Sequence, residues 1–158
     1  VLTLMAIAML FPITAFAQAY VQTWDLVDSG KHLDYDGNST YMSYINTGAA
    51  TWNAYKSGVI RKDSAFVVED VYVSDVNASN GWAGMTYSSG KIELNTYYMS
   101  GYSNSKKQNV ATHELGHALG LDHSTSTDVM DAAITGHTST QALSQNDKDS
   151  YDAAYNNY

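Results

Sequence analysis

The sequence of 158 residues contains no cysteine and a single proline, Pro12. Without cysteine the chain can form no disulfide, no thiolate metal site and no lipid anchor attached through a cysteine thiol. Basic residues are also few, because 8 lysines and arginines stand against 16 aspartates and glutamates, which gives a formal charge of -8. An acidic surface repels phosphate groups, so we expect neither nucleic acid nor a stable association with a membrane.

Charge is absent altogether from residues 1–19, VLTLMAIAMLFPITAFAQA. The apolar run at 2–11 is followed by Pro12 and by two overlapping A-x-A patterns at 15–17 and 17–19, which is typical of a cleaved leader. We therefore predict a signal peptide over 1–19, truncated at its N-terminus because a basic start and an initiator Met are missing. An uncleaved membrane anchor is the alternative, but the proline and the short length disfavour it. Residues 20–158 are predicted to be one secreted domain and a monomer.

Periodic patterns indicate the elements of this domain. Large apolar residues recur at steps of three or four from 40 to 57, which predicts a helix that ends before Gly58 and buries Tyr41, Ile45, Ala49, Trp52 and Tyr55. Strands are predicted at 24–27, 65–75, 82–87 and 91–99, with a turn-rich loop at 28–40. Further helices are predicted over about 106–119 and from Ser144 onward, the latter with Asp147 as capping partner. Strands with one helix first and further helices afterwards predict the α+β class.

Residues 113–123, HELGHALGLDH, place three histidines and a glutamate at fixed offsets around a glycine. Residues four apart on a helix lie one turn apart on the same face, so His113 and His117 can bind one ion together. Gly120 lets the chain reverse and return His123 as a third ligand. Three neutral imidazoles favour zinc and leave a fourth position open, as in catalytic sites. Glu114 lies beside this face, within reach of a water molecule at the open position.

This pattern predicts a zinc-dependent endopeptidase that hydrolyses peptide bonds of a protein or peptide substrate. The zinc would activate water, and Glu114 would accept the proton of that water as a general base and pass it to the leaving amine. Two other functions stay open, namely a non-catalytic module that binds zinc or peptide and a zinc amidase acting on cell-wall peptide. Glu114 favours an enzyme, because a purely structural site does not need a carboxylate beside an open position.

The same residues fit the signature H-E-x-x-H-x-x-G-x-x-H, and the chain resembles the metzincin zinc endopeptidases, most of all the matrixins. Gly120 matches the glycine of the signature, and Ser124 is the residue that matrixins have after the third histidine. Met130 lies where the family has its Met-turn, which packs beneath the metal. Residues 143–155 are similar to the opening of the matrixin C-terminal helix. The resemblance is strongest over 106–131.

The resemblance implies a zincin-like fold. An upper subdomain over about 20–120 would hold a twisted five-stranded mixed sheet and two long helices. A small lower subdomain over about 121–158 would hold the Met-turn and the terminal helix. By the same resemblance, the strand at 82–87 borders the cleft, where an extended substrate can add by main-chain hydrogen bonds. The residues of this strand are Trp82, Ala83, Gly84, Met85, Thr86 and Tyr87.

The chain departs from the matrixin pattern at several positions. Residues 75–91 contain no histidine, so we expect no second, structural zinc. No cysteine lies between the predicted leader and the domain, which excludes latency by a cysteine switch. No tyrosine follows two residues after Met130, so a tyrosine ligand is not expected. Asp131 stands where the family has an apolar or aromatic residue, which leaves the floor of the S1′ pocket undefined.

Residues 34–39, DYDGNS, resemble part of a calcium loop, with Asp70 and Asp75 as further ligands. The glycine is out of place and no glutamate closes the loop, so calcium is only a secondary expectation. His32 and His137 have no partner at ligand spacing and are predicted to be surface residues.

Overall fold

A computed structural model of the protein describes residues 18–64 and 68–158. Its strands and helices follow one another in the α+β arrangement that the sequence predicts. The strands are β1 (Leu33–Gly37), β2 (Ile60–Lys62), β3 (Val71–Val76), β4 (Gly84–Tyr87) and β5 (Lys91–Asn95). The helices are α1 (Met42–Asn53), α2 (Thr96–Met99), α3 (Asn104–Ala118) and α4 (Gln145–Asn157), with a 3-10 turn at Ile134–Gly136.

The five strands form one sheet in the order β2-β1-β3-β5-β4. The pairs β1–β2, β1–β3 and β3–β5 are parallel, whereas β4 runs antiparallel to β5. This confirms the five-stranded mixed sheet that the resemblance implies. It also makes β4 an edge strand, because its outer side has no strand partner within the described ranges.

Helix α1 packs on α3 through the apolar face that its periodicity predicts. Ile45, Ala49 and Trp52 are buried, and the Trp52 indole Nε1 donates a 2.9 Å hydrogen bond to the carbonyl oxygen of Thr112 on α3. Tyr55 is different, because the helix ends at Asn53 and the Tyr55 side chain is left 37% exposed. Trp52 thus joins α1 to the helix that carries the histidine motif.

The first predicted strand is wrong, and the true first strand lies in the predicted loop. Residues 24–27 form no strand; instead the Leu26 N–H donates to the Ala118 carbonyl oxygen at the end of α3. Strand β1 at 33–37 buries Leu33 and Tyr35 and has a parallel neighbour on each side. Pairing with two neighbours outweighs the weak local preference of a stretch rich in Asp and Gly.

The other predicted strands are shorter than expected. A strand is predicted at 65–75, but the observed strand covers 71–76. Residues 68–70 are not part of it, and residues 65–67 lie outside the described residues. The strand predicted at 91–99 ends at the buried Asn95, whose side-chain oxygen accepts from the Tyr97 N–H and starts α2. The Asn95 amide also donates to the carbonyl oxygens of Ala78 and Trp82, which fixes the segment leading into β4.

Helix α4 begins at the predicted cap. The Ser144 side chain accepts from the Asp147 N–H, and the Asp147 carboxylate accepts from the Ser144 N–H, which completes a capping box. Tyr151 and Ala154 are buried on its inner face. No helix within residues 18–64 and 68–158 is long and apolar enough to span a membrane. Of the predicted signal peptide, residues 1–17 lie outside the described residues.

Candidate active site

The end of helix α3 delivers the three histidines to one place. His113 and His117 lie one turn apart on the helix, which ends at Ala118. Gly120 then adopts a φ of 86°, a left-handed conformation that costs other residues energy. The N–H groups of Gly120 and Leu121 donate to the carbonyl oxygens of His117 and Gly116, which is a Schellman ending. The chain therefore reverses where the sequence predicts and returns His123 to the helix.

The three imidazole rings surround one point. A ring nitrogen of each of His113, His117 and His123 lies within 4.8 Å of those of the other two. The Nε2 atoms of His117 and His123 are 3.2 Å apart. The ring centroid of His113 lies 4.6 Å from that of His117 and 5.3 Å from that of His123.

Backbone carbonyl oxygens define which ring nitrogen carries the proton. His113 Nδ1 lies 2.8 Å from the Val129 carbonyl oxygen, and His117 Nδ1 lies 2.8 Å from the Leu121 carbonyl oxygen. A carbonyl oxygen only accepts, so each Nδ1 carries the proton and each Nε2 keeps its lone pair. This is the tautomer that a histidine uses when Nε2 binds a metal ion.

The charge state of the rings also suits a metal ion. Burial, with a smaller contribution from neighbouring His117, lowers the pKa of His113 to about 3. Burial likewise lowers the pKa of His117 to about 4. Both rings are neutral at pH 7, as ligation requires. The lone pair on His117 Nε2 faces His123 Nε2 at 3.2 Å, an arrangement that a cation between them would stabilise. The donor set therefore fits zinc.

Glu114 is held between helix α3 and the edge strand. Its side chain is buried, and Oε2 lies 2.7 Å from the hydroxyl oxygen of Thr86 on β4. A Cβ added at Gly84 would lie 2.5 Å from Glu114 Oε1, so only glycine leaves room for the carboxylate here. Burial raises the pKa of Glu114 to about 7, although the Thr86 hydrogen bond opposes the shift. A carboxyl group of this kind can take up and release a proton near neutral pH.

Strand β4, helix α3 and the chain at Asp122 and His123 enclose a cleft of about 380 Å³. His113, Glu114, His117 and His123 all line it. Of the residues predicted to bind substrate, Trp82, Ala83, Gly84, Met85 and Thr86 line the cleft as well. Tyr87 lies outside this lining, and its hydroxyl donates to Glu93 Oε2 at 2.9 Å. The structure thus brings the predicted ligands, the glutamate and most of the predicted strand to one cavity.

Met130 lies directly beneath α3. A Cβ added at Gly116 would overlap the Met130 sulfur, so the two residues are in close contact between the histidines. The buried Asp147 carboxylate accepts from the N–H groups of Val129 and Met130 at 2.9 and 3.1 Å. Because the Val129 carbonyl oxygen accepts from His113, Asp147 supports a ligand through one peptide group. The sequence indicates Asp147 only as a helix cap, and its contact with the Met-turn has no local signal.

Ser124 and Asp131 connect the third histidine to the Met-turn. They form an isolated parallel bridge, and the Ser124 N–H donates to the Met130 carbonyl oxygen at 2.9 Å. The Asp131 side chain is buried and lies 2.8 Å from His137 Nε2. Asp131 therefore has a partner that its spacing in the sequence does not suggest. The pair closes the segment that contributes Ala132, Ile134 and Thr135 to the cleft wall.

The carboxylates near the predicted calcium loop are arranged differently from a loop site. Residues 33–37 are a strand, and Asp75 instead accepts from Ser39 and Thr40 at the start of α1. Oxygen atoms of Asp28, Asp34 and Asp70 lie within 4.8 Å of one another. The Arg61 guanidinium forms two hydrogen bonds with Asp34, however, and offsets charge in this cluster. Calcium remains a prediction from the sequence.

Among the solved structures that match this chain is a zinc protease. The high choriolytic enzyme 1, a hatching enzyme zinc-protease from the medaka fish Oryzias latipes, is 20% identical, with a TM-score of 0.35. The match covers 73% of this chain and 54% of that one, so this chain spans about half the length of the enzyme. No curated protein sequence matches the chain.

A family comparison covers almost the whole sequence. The family model described as Matrixin matches residues 14–156, which include the histidine motif, the Met-turn and helix α4 up to Asn156. The resemblance to the matrixins that the motif indicates is thereby confirmed. The chain belongs to the matrixin family of zinc metalloproteases.

Proposed function

We propose that this matrixin is a secreted endopeptidase in which His113, His117 and His123 hold one zinc ion and Glu114 is the general base. The observation that carries the proposal is the position of Glu114. Its carboxyl group is buried in the wall of the same cleft that the three imidazoles line, and Thr86 and Gly84 of the edge strand confine it. A site that only stored zinc would not need this group.

The chain's own residues divide the chemistry among them. Bound zinc supplies Lewis acidity toward a water molecule and the carbonyl group of the substrate. The Nδ1 hydrogen bonds of His113 and His117 fix the two rings, so that their Nε2 atoms would be the ones to hold a zinc ion. Glu114 takes the proton from the attacking water and returns it to the amine that leaves. Burial raises the pKa of Glu114 above that of an exposed glutamate, which favours uptake of a proton from the water.

Strand β4 supports an extended peptide as the substrate. Its inner side pairs antiparallel with β5, and its outer side has no strand partner within the described ranges. A peptide laid along Trp82–Thr86 can therefore add as a further strand by main-chain hydrogen bonds. Binding through the main chain favours cleavage within a chain, which is why we propose an endopeptidase. Export of the protein is proposed from the uncharged stretch 1–19 alone.

The test uses the purified chain, a casein substrate and a matched pair of variants. Glu114→Gln should retain one zinc per chain and lose activity by roughly two to four orders of magnitude, because the proton transfers stop. Glu69→Gln, at an exposed glutamate, should keep full activity. His117→Ala should lose the zinc, and phenanthroline should stop cleavage by the wild type. Undiminished cleavage by Glu114→Gln would overturn the mechanism.

A further inference from the structure

The side chain of Gln22 reaches the ring of His117 from a distant part of the chain. Gln22 Nε2 lies 2.8 Å from His117 Nδ1, although 95 positions separate the two residues. The other amide atom, Oε1, is buried and has no hydrogen-bond partner among the described residues. No pattern in the sequence marks Gln22, and the chemistry described above does not use it.

The two amide atoms and the ring proton point to one arrangement. His117 Nδ1 carries a proton, since it faces the Leu121 carbonyl oxygen at 2.8 Å. The amide nitrogen of Gln22 only donates and cannot face this proton, so the amide must turn by 180° and place Oε1 there as a second acceptor beside the Leu121 carbonyl oxygen. Oε1 then accepts from Nδ1, and the amide nitrogen takes the buried position that has no partner among the described residues. In this arrangement Gln22 and Leu121 hold the ring from the side opposite Nε2.

Backbone hydrogen bonds hold Gln22 at this position. We call residues 18–27 the N-terminal segment. The Gln22 N–H donates to the Gly120 carbonyl oxygen at 2.7 Å, and the Asp122 N–H donates to the Tyr20 carbonyl oxygen at 3.0 Å. Val21 and Leu121 form an antiparallel bridge. The N-terminal segment is therefore paired with the turn that links His117 to His123.

We propose that Gln22 is a positioning residue for His117. Through Gln22, the N-terminal segment contributes to the zinc affinity of the site. The proposal rests on the assignment of His117 as a zinc ligand. A group that accepts the Nδ1 proton of a histidine that binds zinc through Nε2 fixes the ring and makes Nε2 a stronger ligand. Because linkage is reciprocal, zinc that fixes His117 must also stabilise the N-terminal segment.

The test measures zinc affinity on the whole chain, by competition with a chelating indicator. Gln22→Leu has a similar size but no acceptor, and it should raise the zinc dissociation constant by roughly 10- to 100-fold. Thr23→Leu is the matched control, because Thr23 is exposed in the same segment, and its zinc affinity should equal that of the wild type. Gln22→Glu restores an acceptor and should bind zinc at least as tightly as glutamine does.

A second measurement follows the segment itself. Zinc should slow hydrogen exchange at the N–H groups of Gln22 and Asp122 in the wild type, and should slow it much less in Gln22→Leu. Equal zinc affinities for Gln22→Leu and Thr23→Leu would overturn the inference, as would an equal loss in Gln22→Glu and Gln22→Leu. If Gln22→Leu does not fold, the zinc affinity of Gln22→Glu decides the question. A role of Gln22 in packing alone predicts that Gln22→Glu binds zinc more weakly than the wild type.

The result separates this inference from the proposed function. Zinc affinity that depends on Gln22 in a protein that cleaves no substrate would support the inference and contradict the endopeptidase. Cleavage that depends on Glu114, together with zinc affinity that does not depend on Gln22, would support the endopeptidase and contradict the inference. A wild-type chain that binds no zinc would overturn both.

Discussion

The hydroxyl oxygen of Thr86 lies 2.7 Å from Glu114 Oε2 and 2.9 Å from the carbonyl oxygen of the same residue. One hydroxyl group of the edge strand thus contacts both the side chain and the backbone of the glutamate. Both residues are buried, so water does not replace these contacts. The distance between strand and helix is thereby tied to the position of the carboxyl group.

Replacing Thr86 by valine removes the hydroxyl at nearly constant shape. A hydrogen bond to a charged group contributes about 1.5 to 3 kcal/mol, so kcat should fall roughly 10- to 100-fold. KM should change little, because a peptide would pair with the backbone of β4. Steady-state kinetics on a fluorogenic peptide check this split. Thr86→Ser keeps the hydroxyl and should retain most of the activity; a serine variant as slow as valine would contradict the assignment.

Gly84→Ala should displace the Glu114 carboxyl group, because the added Cβ would lie 2.5 Å from Oε1. We expect cleavage of casein to fall at least about tenfold, with the zinc content unchanged, since misplaced catalytic groups are costly. Gly101→Ala is the control, because a Cβ there meets nothing closer than 3.8 Å and the residue is exposed. Equal activities of the two variants would show that β4 shifts to accommodate the added Cβ and that Glu114 keeps its position.

Asp147→Asn should destabilise the Met-turn. The carboxylate accepts from the N–H groups of Val129, Met130 and Ser144, and an amide cannot accept from all three. We expect a loss of about 2 to 4 kcal/mol in the free energy of unfolding, from urea denaturation. Asp149→Asn on the same helix should change this free energy by less than about 0.5 kcal/mol. A similar small loss for both would mean that Asp147 acts only as a cap.

Asp128 should make stability depend on pH in the acid range. Burial raises the pKa of Asp128, but hydrogen bonds, including those from Thr125 and Asn146, outweigh it and leave the pKa below 3.8. The unfolded chain then binds the proton more readily than the folded one. Stabilisation by the carboxylate is therefore complete above the unfolded pKa and is lost as the pH falls through the folded pKa.

Urea denaturation of the zinc-free wild type and of Asp128→Asn checks this prediction between pH 6 and pH 3. The variant should be less stable at pH 6, and the difference between the two proteins should shrink toward pH 3. Zinc is removed so that its release from the histidines at low pH does not contribute. A difference that stays constant with pH would mean that the charge of Asp128 does not stabilise the fold.

The sequence predicts the elements that depend on neighbouring residues. The spacing of His113 and His117, the reversal at Gly120 and the cap at Ser144 involve residues no more than four positions apart, and the structure has each as predicted. The apolar face of α1 follows from periodicity in the same way. The ends of strands and helices are predicted less accurately. Strand β5, for example, ends at Asn95 because the side chain of this residue contacts residues 78–82.

The errors concern residues whose partners lie far along the chain. Strand β1 lies in a stretch of turn residues, and only its pairing with β2 and β3 makes it a strand. The segment 24–27 has strand-like residues but pairs with the end of α3 instead.

The sequence by itself therefore determined the class of chemistry: the spacing around HELGHALGLDH places two imidazoles on one helical turn, and the absence of cysteine excludes thiolate sites. Only the tertiary structure decided what holds these groups in place. Thr86 on Glu114, Gln22 on His117 and Asp147 on the Met-turn are contacts between elements 28, 95 and 18 positions apart. Helical geometry repeats within a turn, whereas such contacts arise only when the chain folds and brings distant elements together.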